Sequence, residues 1–186
     1  YHPCQILADA LTILEKFGTL DVNLMYIGAK NNVFNSHVEF FSKMKKGTLY
    51  GLTPLVNETA CGPDFYEEAK KSGHYIELDP AMSMEEAKEY ANKMDVLYTD
   101  TWVDMEFFNN PAYQKQKEET LAKMMPYQLN GDFTKDSKAI VFHDMPMHVG
   151  FEISQDVVDK NLDHILDEAE NRRHAEKAVM YTLLNS

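Results

Sequence analysis

Residues 22–52 read VNLMYIGAKNNVFNSHVEFFSKMKKGTLYGL, and the succession of apolar patterns within them decides the fold. Val22 to Ile27 is an apolar run of the kind that forms a buried strand. Gly28 breaks it. Val33, Phe34, Val38, Phe41 and Met44 then recur at helical spacing, and Gly47 stops that stripe. Thr48 to Leu52 is a second short strand, closed by a turn at Thr53-Pro54. Two strands joined through a helix make a parallel βαβ unit, because parallel neighbours need a crossover.

The same alternation extends in both directions. Upstream, Ile6, Leu7, Ala10, Leu11, Leu14 and Phe17 mark an amphipathic helix that Gly18 ends. Downstream come a helix from about Pro63 to Lys71 and a strand at Tyr75 to Leu78. Ser83 with Glu86 three residues on has the form of a capping box, opening a helix to about Lys93. Strands follow at Val96 to Thr99 and Ile140 to Phe142, with a helical stretch from Ala112 to Met124 between them. From Asp156 onward the chain is helical apart from breaks. The expectation is an α/β fold, a three-layer doubly wound (Rossmann-like) five-stranded parallel sheet with helices on both faces. No internal repeat and no clear second domain is visible.

The chain has 186 residues, 44% of them hydrophobic, which suits one domain with a sizeable core. Asp and Glu number 30 against 18 Lys and Arg, a formal net charge of −12. Such a surface repels nucleic acid and anionic membrane, and neither is expected as a partner. No apolar stretch approaches the roughly 20 residues that cross a bilayer. Cys4 and Cys61 form neither CxxC nor a disulfide framework, so a reducing, cytoplasmic setting is expected. The chain starts at Tyr1 without an initiator Met or a signal peptide, a start that reads as cut.

Ligands of such folds bind beyond the carboxyl ends of the strands, here Gly28–Asn35, Thr53–Pro63, Asp100–Asn110 and His143–Gly150. Gly28-Ala29-Lys30-Asn31-Asn32 lacks the three glycines of a dinucleotide fingerprint, so no nucleotide cofactor is expected. One of Asn31 and Asn32 caps the following helix; an amide there equally suits a substrate carboxylate. Residues 98–106 hold Asp100, Asp104, Glu106 and the only Trp, Trp102. They read either as a site for a ligand ammonium or as a solvated acidic loop with Trp102 as a lid. His143 and His148 flank Asp144, but their spacing and the lack of a further Cys/His cluster argue against a metal. Pro146 suggests a fixed turn that presents backbone groups. At the other end, Pro3 opens a helix whose N-terminus attracts anions. Cys4 there reads as a low-pKa thiol or a buried inert one.

Taken in order, these segments resemble the aspartate/ornithine carbamoyltransferase family, and the ornithine members most. His2-Pro3-Cys4-Gln5 with Leu7-Ala8-Asp9 and Thr12 is similar to "HPTQ…LAD…T". Residues 28–36, GAKNNVFNS, are similar to "GDxxNNxxxS", residues 98–105, YTDTWVDM, to "YTDVWVSM", and Tyr127 to Asn130 to "YQVN". His143-Asp144-Met145-Pro146 stands where "HCLP" belongs, and Glu170-Asn171-Arg172 with His174, Lys177 and Ala178 resembles "ENRxHxxKA". The resemblance runs from the first residue to the last. It implies that residues 1–186 are the second-substrate (ornithine-binding-like) domain of an enzyme. An N-terminal carbamoyl-phosphate domain with a "STRT" loop is absent here. The His2 helix and the C-terminal helix from about residue 160 would connect to it, and the isolated domain is expected to be inactive.

The implied reaction moves the carbamoyl group of carbamoyl phosphate to an amine such as ornithine, giving citrulline or an analogue and phosphate, with no cofactor and no metal. Carried over by position, His2 would donate to the carbamoyl oxygen and Gln5 would hold the carbamoyl amide. Arg172 would neutralise the carbonyl or phosphate. Pro3 and Cys4 would complete the carbamoyl-phosphate segment, and the backbone of Asp144 and Met145 would orient the carbamoyl amide and the amine. Asn32 would bind the amino-acid head and Asp100 its α-ammonium, with Asp104 and Met105 in the loop that closes over it. Assembly as a homotrimer, or a multiple of one, through the missing domain is implied as well.

Four departures stand out. Asp104 replaces a Ser, Glu106 a Gly, Asp144 and Met145 the Cys and Leu of HCLP, and Ala29 an Asp. A carboxylate at Asp144 would keep an attacking ammonium protonated unless it accepts the proton itself. The alternatives are therefore a paralogue that uses a diamine or a modified ornithine, or an impaired binding or regulatory protein.

Overall fold

The computed structural model describes every residue except Asp104 and the side chains of Met105 and Glu106. Its five strands are β1 (Asn23–Lys30), β2 (Thr48–Val56), β3 (Tyr75–Glu77), β4 (Val96–Thr99) and β5 (Ile140–His143). They form one parallel sheet in the order β3-β2-β1-β4-β5. Around it lie α1 (Pro3–Phe17), α2 (Asn32–Met44), α3 (Pro63–Lys70), α4 (Met84–Ala91), α5 (Met105–Phe108), α6 (Gln114–Met124), α7 (Gly131–Thr134) and α8 (Gln155–Leu184). The three-layer fold expected from the sequence is the one observed.

Side chains alternate across β1 because successive residues of a strand face opposite ways. Leu24 and Tyr26 enter one core with Phe34, Phe41 and Tyr66 of α2 and α3. Met25 and Ile27 enter the other with Ala87 and Ala91 of α4 and Val157 and Ile165 of α8. Strand order reverses between β1 and β4, so the crevice at their carboxyl ends is the topological switch point.

Several boundaries differ from the sequence reading. Gly28 does not break β1, which continues to Lys30. Nor does Thr53-Pro54 turn the chain, for β2 runs on to Val56. The two differences share a cause. Ile27 pairs with Leu52 and Ala29 with Leu55, so Gly28 faces two residues of β2, an irregularity that accommodates the missing N–H of Pro54. Lys45, not Gly47, ends α2 in the left-handed conformation, at φ 52°. The helix beginning near residue 83 stops at Ala91 rather than Lys93. The stretch from Ala112 opens with a 3-10 turn, Pro111–Tyr113, before α6. The last helix starts at Gln155, one residue before the Asp156 read from the sequence, and runs for 30 residues without the expected breaks, because no Gly or Pro interrupts it.

The capping box is present in full: the Ser83 hydroxyl accepts from the Glu86 N–H, and Glu86 accepts from the Ser83 N–H. Ser83→Ala is expected to lower stability by about 1 kcal/mol. Urea unfolding checks it, with a shifted midpoint and an unchanged slope.

Candidate active site

The β4–β5 register pairs Thr99 with His143. Asp100 and Asp144 are the next residues, each leaving the end of one of these neighbouring strands, and the Asp100 charge bears on Asp144. Asp100 is buried and held at both oxygens. The Asn31 amide donates to Oδ2 at 2.8 Å and the Thr101 N–H to Oδ1 at 2.6 Å. Asn31 also caps α2, its Oδ1 accepting from the Phe34 N–H at 2.9 Å. One asparagine thus fixes both the helix start and the acid. Burial raises the Asp100 carboxyl above its ordinary value, against the pull of His143 and these hydrogen bonds.

Asp144 is placed differently. Its Oδ1 is shielded from solvent and has no hydrogen-bond partner among the described residues. Burial first, then the carboxylates of Asp100, Asp9 and Glu168, push its pKa up to about 9, with Arg172 opposing.

Beneath this pair lies a buried network that joins α1, α2, α8 and the end of β5. Gln5 donates through Nε2 to Asp9 Oδ1 and to Glu168 Oε1, each at 2.9 Å. Glu168 Oε2 accepts the His143 N–H at 2.9 Å. Asp9 Oδ2 stands 3.1 Å from His37 Nε2, while His37 Nδ1 lies 3.1 Å from the Val33 carbonyl and so carries a proton. Burial pushes His37 down to about 4 and Asp9 up to about 7, and holds Glu168 well above the usual carboxylate range. The network therefore sets a neutral imidazole among acids whose proton affinity burial has raised, rather than forming a set of full ion pairs.

The first and last helices meet above it. Arg172 of α8 donates from Nη2 to His2 Nε2 at 3.3 Å, and the His2 N–H bonds Ser36 Oγ at 2.7 Å. Partial burial, then Arg172, lower the His2 pKa, so His2 is a neutral imidazole with its proton on Nδ1. Asn171 ties the same helices, donating to Thr12 Oγ1 at 3.0 Å and Glu15 Oε2 at 2.7 Å. Both Gln5 amide hydrogens are used, which leaves its Oε1 for a ligand N–H. The Met145 N–H is likewise taken, by His143 Nδ1 at 3.0 Å, so the backbone of Met145 is left its carbonyl oxygen to offer.

Other residues fall as follows. Asn32 is the first residue of α2, its N–H on Thr59 Oγ1 at 3.2 Å, and its side chain has no hydrogen bond among the described residues. Pro3 opens α1. Cys4 is not a low-pKa thiol: desolvation and the Glu176 carboxylate raise it. Asp104, and the side chain of Met105, lie outside the described residues. His143 and His148 both turn to Glu152, through His143 Nε2 at 3.2 Å and the His148 N–H, and His148 stacks on Phe108. Among the described residues no group of three or more His, Cys, Asp or Glu is placed to hold a metal. Trp102 is buried and lines a cavity of about 400 Å³ with Val56, Thr59, Phe107, Tyr113 and Lys117, which neither Asp100 nor Asp144 lines. Sequence reasoning missed Glu168 and His37. Glu168 had one available signal, its position one helical turn before Arg172 on a common face.

Comparison with known proteins gives the following. The family model described as aspartate/ornithine carbamoyltransferase, Asp/Orn binding domain, matches residues 20–183. Ornithine carbamoyltransferase of Chlorobaculum tepidum is 36% identical over 190 residues, 99% of this chain and 52% of that protein. That of Pyrococcus horikoshii is 37% identical, over 98% of this chain and 56% of its own length. The solved ornithine carbamoyltransferase of Pyrococcus furiosus superposes with a TM-score of 0.77 at 32% identity, covering 96% of this chain and 55% of that one. The chain spans about half the length of the curated relatives it matches.

Proposed function

The chain belongs to the aspartate/ornithine carbamoyltransferase family, through its Asp/Orn binding domain, and from that premise we propose that it is the second-substrate half of a carbamoyltransferase. In this reading the full protein moves the carbamoyl group of carbamoyl phosphate to the side-chain amine of ornithine or a close analogue. The observation that carries it is the convergence of the two ends of the chain at the ends of β4 and β5: Arg172 bonds His2, and Gln5 bonds Glu168, which accepts the N–H of His143 next to Asp144. Carbamoyl transfer needs a polarised carbonyl, a bound leaving phosphate and an amine held close, and positioning with electrostatics supplies these without a covalent intermediate.

Each side chain then has a role. His2 donates from Nδ1 to the carbamoyl oxygen while Arg172, always charged, balances the charge that develops on carbonyl and phosphate. Gln5 accepts from the carbamoyl amide through Oε1. Asp100, clamped by Asn31 and Thr101, receives the α-ammonium, and the free amide of Asn32 meets the α-carboxylate. A diamine or a modified ornithine is a second reading, favoured by one observation: Asp144 adds a second carboxyl within reach of the Asp100 charge. Asp104 and Met105 would close over either amine.

An apolar groove of about 410 Å³ between α1 and α8, lined by Leu7, Leu11, Ala178, Val179 and Leu183, supports the idea that these helices dock against a carbamoyl-phosphate domain. Trimer formation through that domain and a cytoplasmic setting belong to the same proposal. Among the described residues no helix is long and apolar enough to cross a membrane.

The test is phosphate release by the full-length protein from carbamoyl phosphate, against ornithine, N-acyl ornithines, putrescine and aspartate. Turnover on ornithine is the expected result. Preference for putrescine by tenfold or more would select the second reading. Silence on every amine, with carbamoyl phosphate bound to folded protein, would refute the transferase and leave a binding or regulatory role.

A further inference from the structure

An amine nucleophile poses a problem for this pocket. At neutral pH the free amine is an ammonium, and an ordinary carboxylate beside it holds it so. Its nitrogen has no lone pair until a proton leaves. Two carboxyl groups stand at the strand ends, and the structure treats them unequally. Asp100 is clamped as an acceptor by the Asn31 amide and the Thr101 N–H. Asp144 Oδ1 is shielded from solvent and engages no partner among the described residues. A buried polar atom without a partner is unfavourable, and an incoming N–H would satisfy it.

We propose that Asp144 is a catalytic residue, the group that takes the proton from the attacking amine. The inference rests on the transferase reading and deepens it. The balanced step runs from R–NH₃⁺ beside ionised Asp144. The ammonium gives one proton to Asp144 Oδ1, and its freed lone pair forms the C–N bond to the carbamoyl carbon. The bond from that carbon to the phosphate oxygen breaks, its electron pair going to phosphate. The second amine proton leaves with the phosphate as hydrogen phosphate, and Asp144 returns its own proton to solvent.

The surroundings fit this work. Facing Asp144 are Asp100 from β4, Asp9 from α1, Glu168 and Arg172 from α8, and the phenols of Tyr26 and Tyr98 from β1 and β4. Three of these are carboxyls and one is a cation. Their combined effect, together with burial, raises the proton affinity of Asp144 towards that of an amine. A general base works best when it is matched in this way to the group it deprotonates. In the free protein Asp144 keeps its proton at neutral pH; the charge of a bound ammonium ionises it.

The test compares the full-length protein with its Asp144→Asn and Asp144→Glu variants, on whichever amine of the panel turns over. Asp144→Asn is expected to lower kcat by about 100-fold, leave KM for the amine within about threefold, and keep the melting temperature at neutral pH. The acid limb of its kcat–pH profile should be lost. Asp144→Glu, which keeps the carboxyl, should recover at least about a tenth of the rate. An Asp144→Asn protein with kcat within threefold of the parent overturns the role of Asp144 while leaving the transferase standing. Should that variant fail to fold, the parent decides: kcat independent of pH between 6 and 9.5 overturns the proposal. Silence of the parent on every amine is a different failure, that of the transferase reading beneath it.

Discussion

The protein is expected to lose stability steadily as pH rises from 6.5 to 9, the reverse of what its surface ion pairs would suggest. The cause is the set of buried acids at the strand ends. Asp9 is raised to about 7 and Asp144 to about 9, while Asp100 and Glu168 are raised as well. An acid whose folded pKa lies above its unfolded value holds a proton that the unfolded chain has already released. Its stabilisation is complete below about pH 4 and is lost as pH climbs through the folded value. His37 acts with the opposite sign: lowered to about 4, it favours the fold above pH 6.5 and loses that contribution as pH falls. Between pH 4 and 6.5, Asp9 and His37 oppose each other. Above 6.5 the imidazole is neutral in both states and only the acids act. Asp144 alone changes stability by about 1.4 kcal/mol per pH unit there, or about 3 kcal/mol by pH 9. In a domain of this size that moves the melting temperature by roughly 6–12 °C. Calorimetry across the range measures it, and Asp144→Asn should flatten the slope. A melting temperature that holds or rises to pH 9 would mean that these carboxyls are ionised within the fold.

That buried chemistry was only partly legible beforehand. Strand and helix order followed from alternating patterns, because a strand buried on both faces leaves an apolar run such as residues 22–27 whatever packs on it. The resemblance located His2, Gln5, Asp100, Asp144 and Arg172 on the chain, and local signals sufficed for Pro3 at a helix start and for the Ser83–Glu86 box. What neither supplied was mutual placement. Asp100 and Asp144 are 44 positions apart, and only the β4–β5 pairing brings together the strand ends that they follow. Glu168 reads as one more acid on an acidic helix until α1 and α8 are packed and Gln5 is seen to bridge it to Asp9. The resemblance offered the Gln5 amide to a ligand; the structure uses both its hydrogens internally. Asn31 and Asn32 were interchangeable as candidates because either spacing suits a cap. The hydrogen bonds of Asn31 to both Phe34 and Asp100 separate them.

Gly47→Ala is expected to be among the most destabilising single-methyl additions available in this chain. Sequence reasoning gave Gly47 the task of ending α2, a role in which alanine would have been a modest loss. Lys45 performs that task instead, and Gly47 answers to a constraint from the sheet. Its φ is +67°, a region that a residue with a Cβ enters at a cost of about 1–2 kcal/mol. The space is closed as well. A Cβ there would stand 2.2 Å from the Val22 carbonyl oxygen, 2.8 Å from the Val22 nitrogen and 3.0 Å from the Leu20 carbonyl oxygen. All three are backbone atoms, so no rotamer change relieves the clash. The Val22 carbonyl also accepts the Thr48 N–H at 2.9 Å, the contact from which the β1–β2 pairing starts at Asn23 and Thr48. Gly47 is itself held in place, its N–H on Asp21 Oδ1 at 2.9 Å and its carbonyl 2.6 Å from His74 Nδ1. Relief requires moving β1 away from β2 at the centre of the sheet. Loss of at least about 3 kcal/mol is expected, in the range where strained backbone and overpacking act together. Gly18→Ala provides the internal comparison, since Gly18 has a similar φ of +69° but nothing within 4 Å of its added methyl. It should lose only the conformational part, about 1–2 kcal/mol. Equal losses for the two in urea unfolding would show that the β1–β2 start yields freely, and that the clash at Gly47 has no energetic weight.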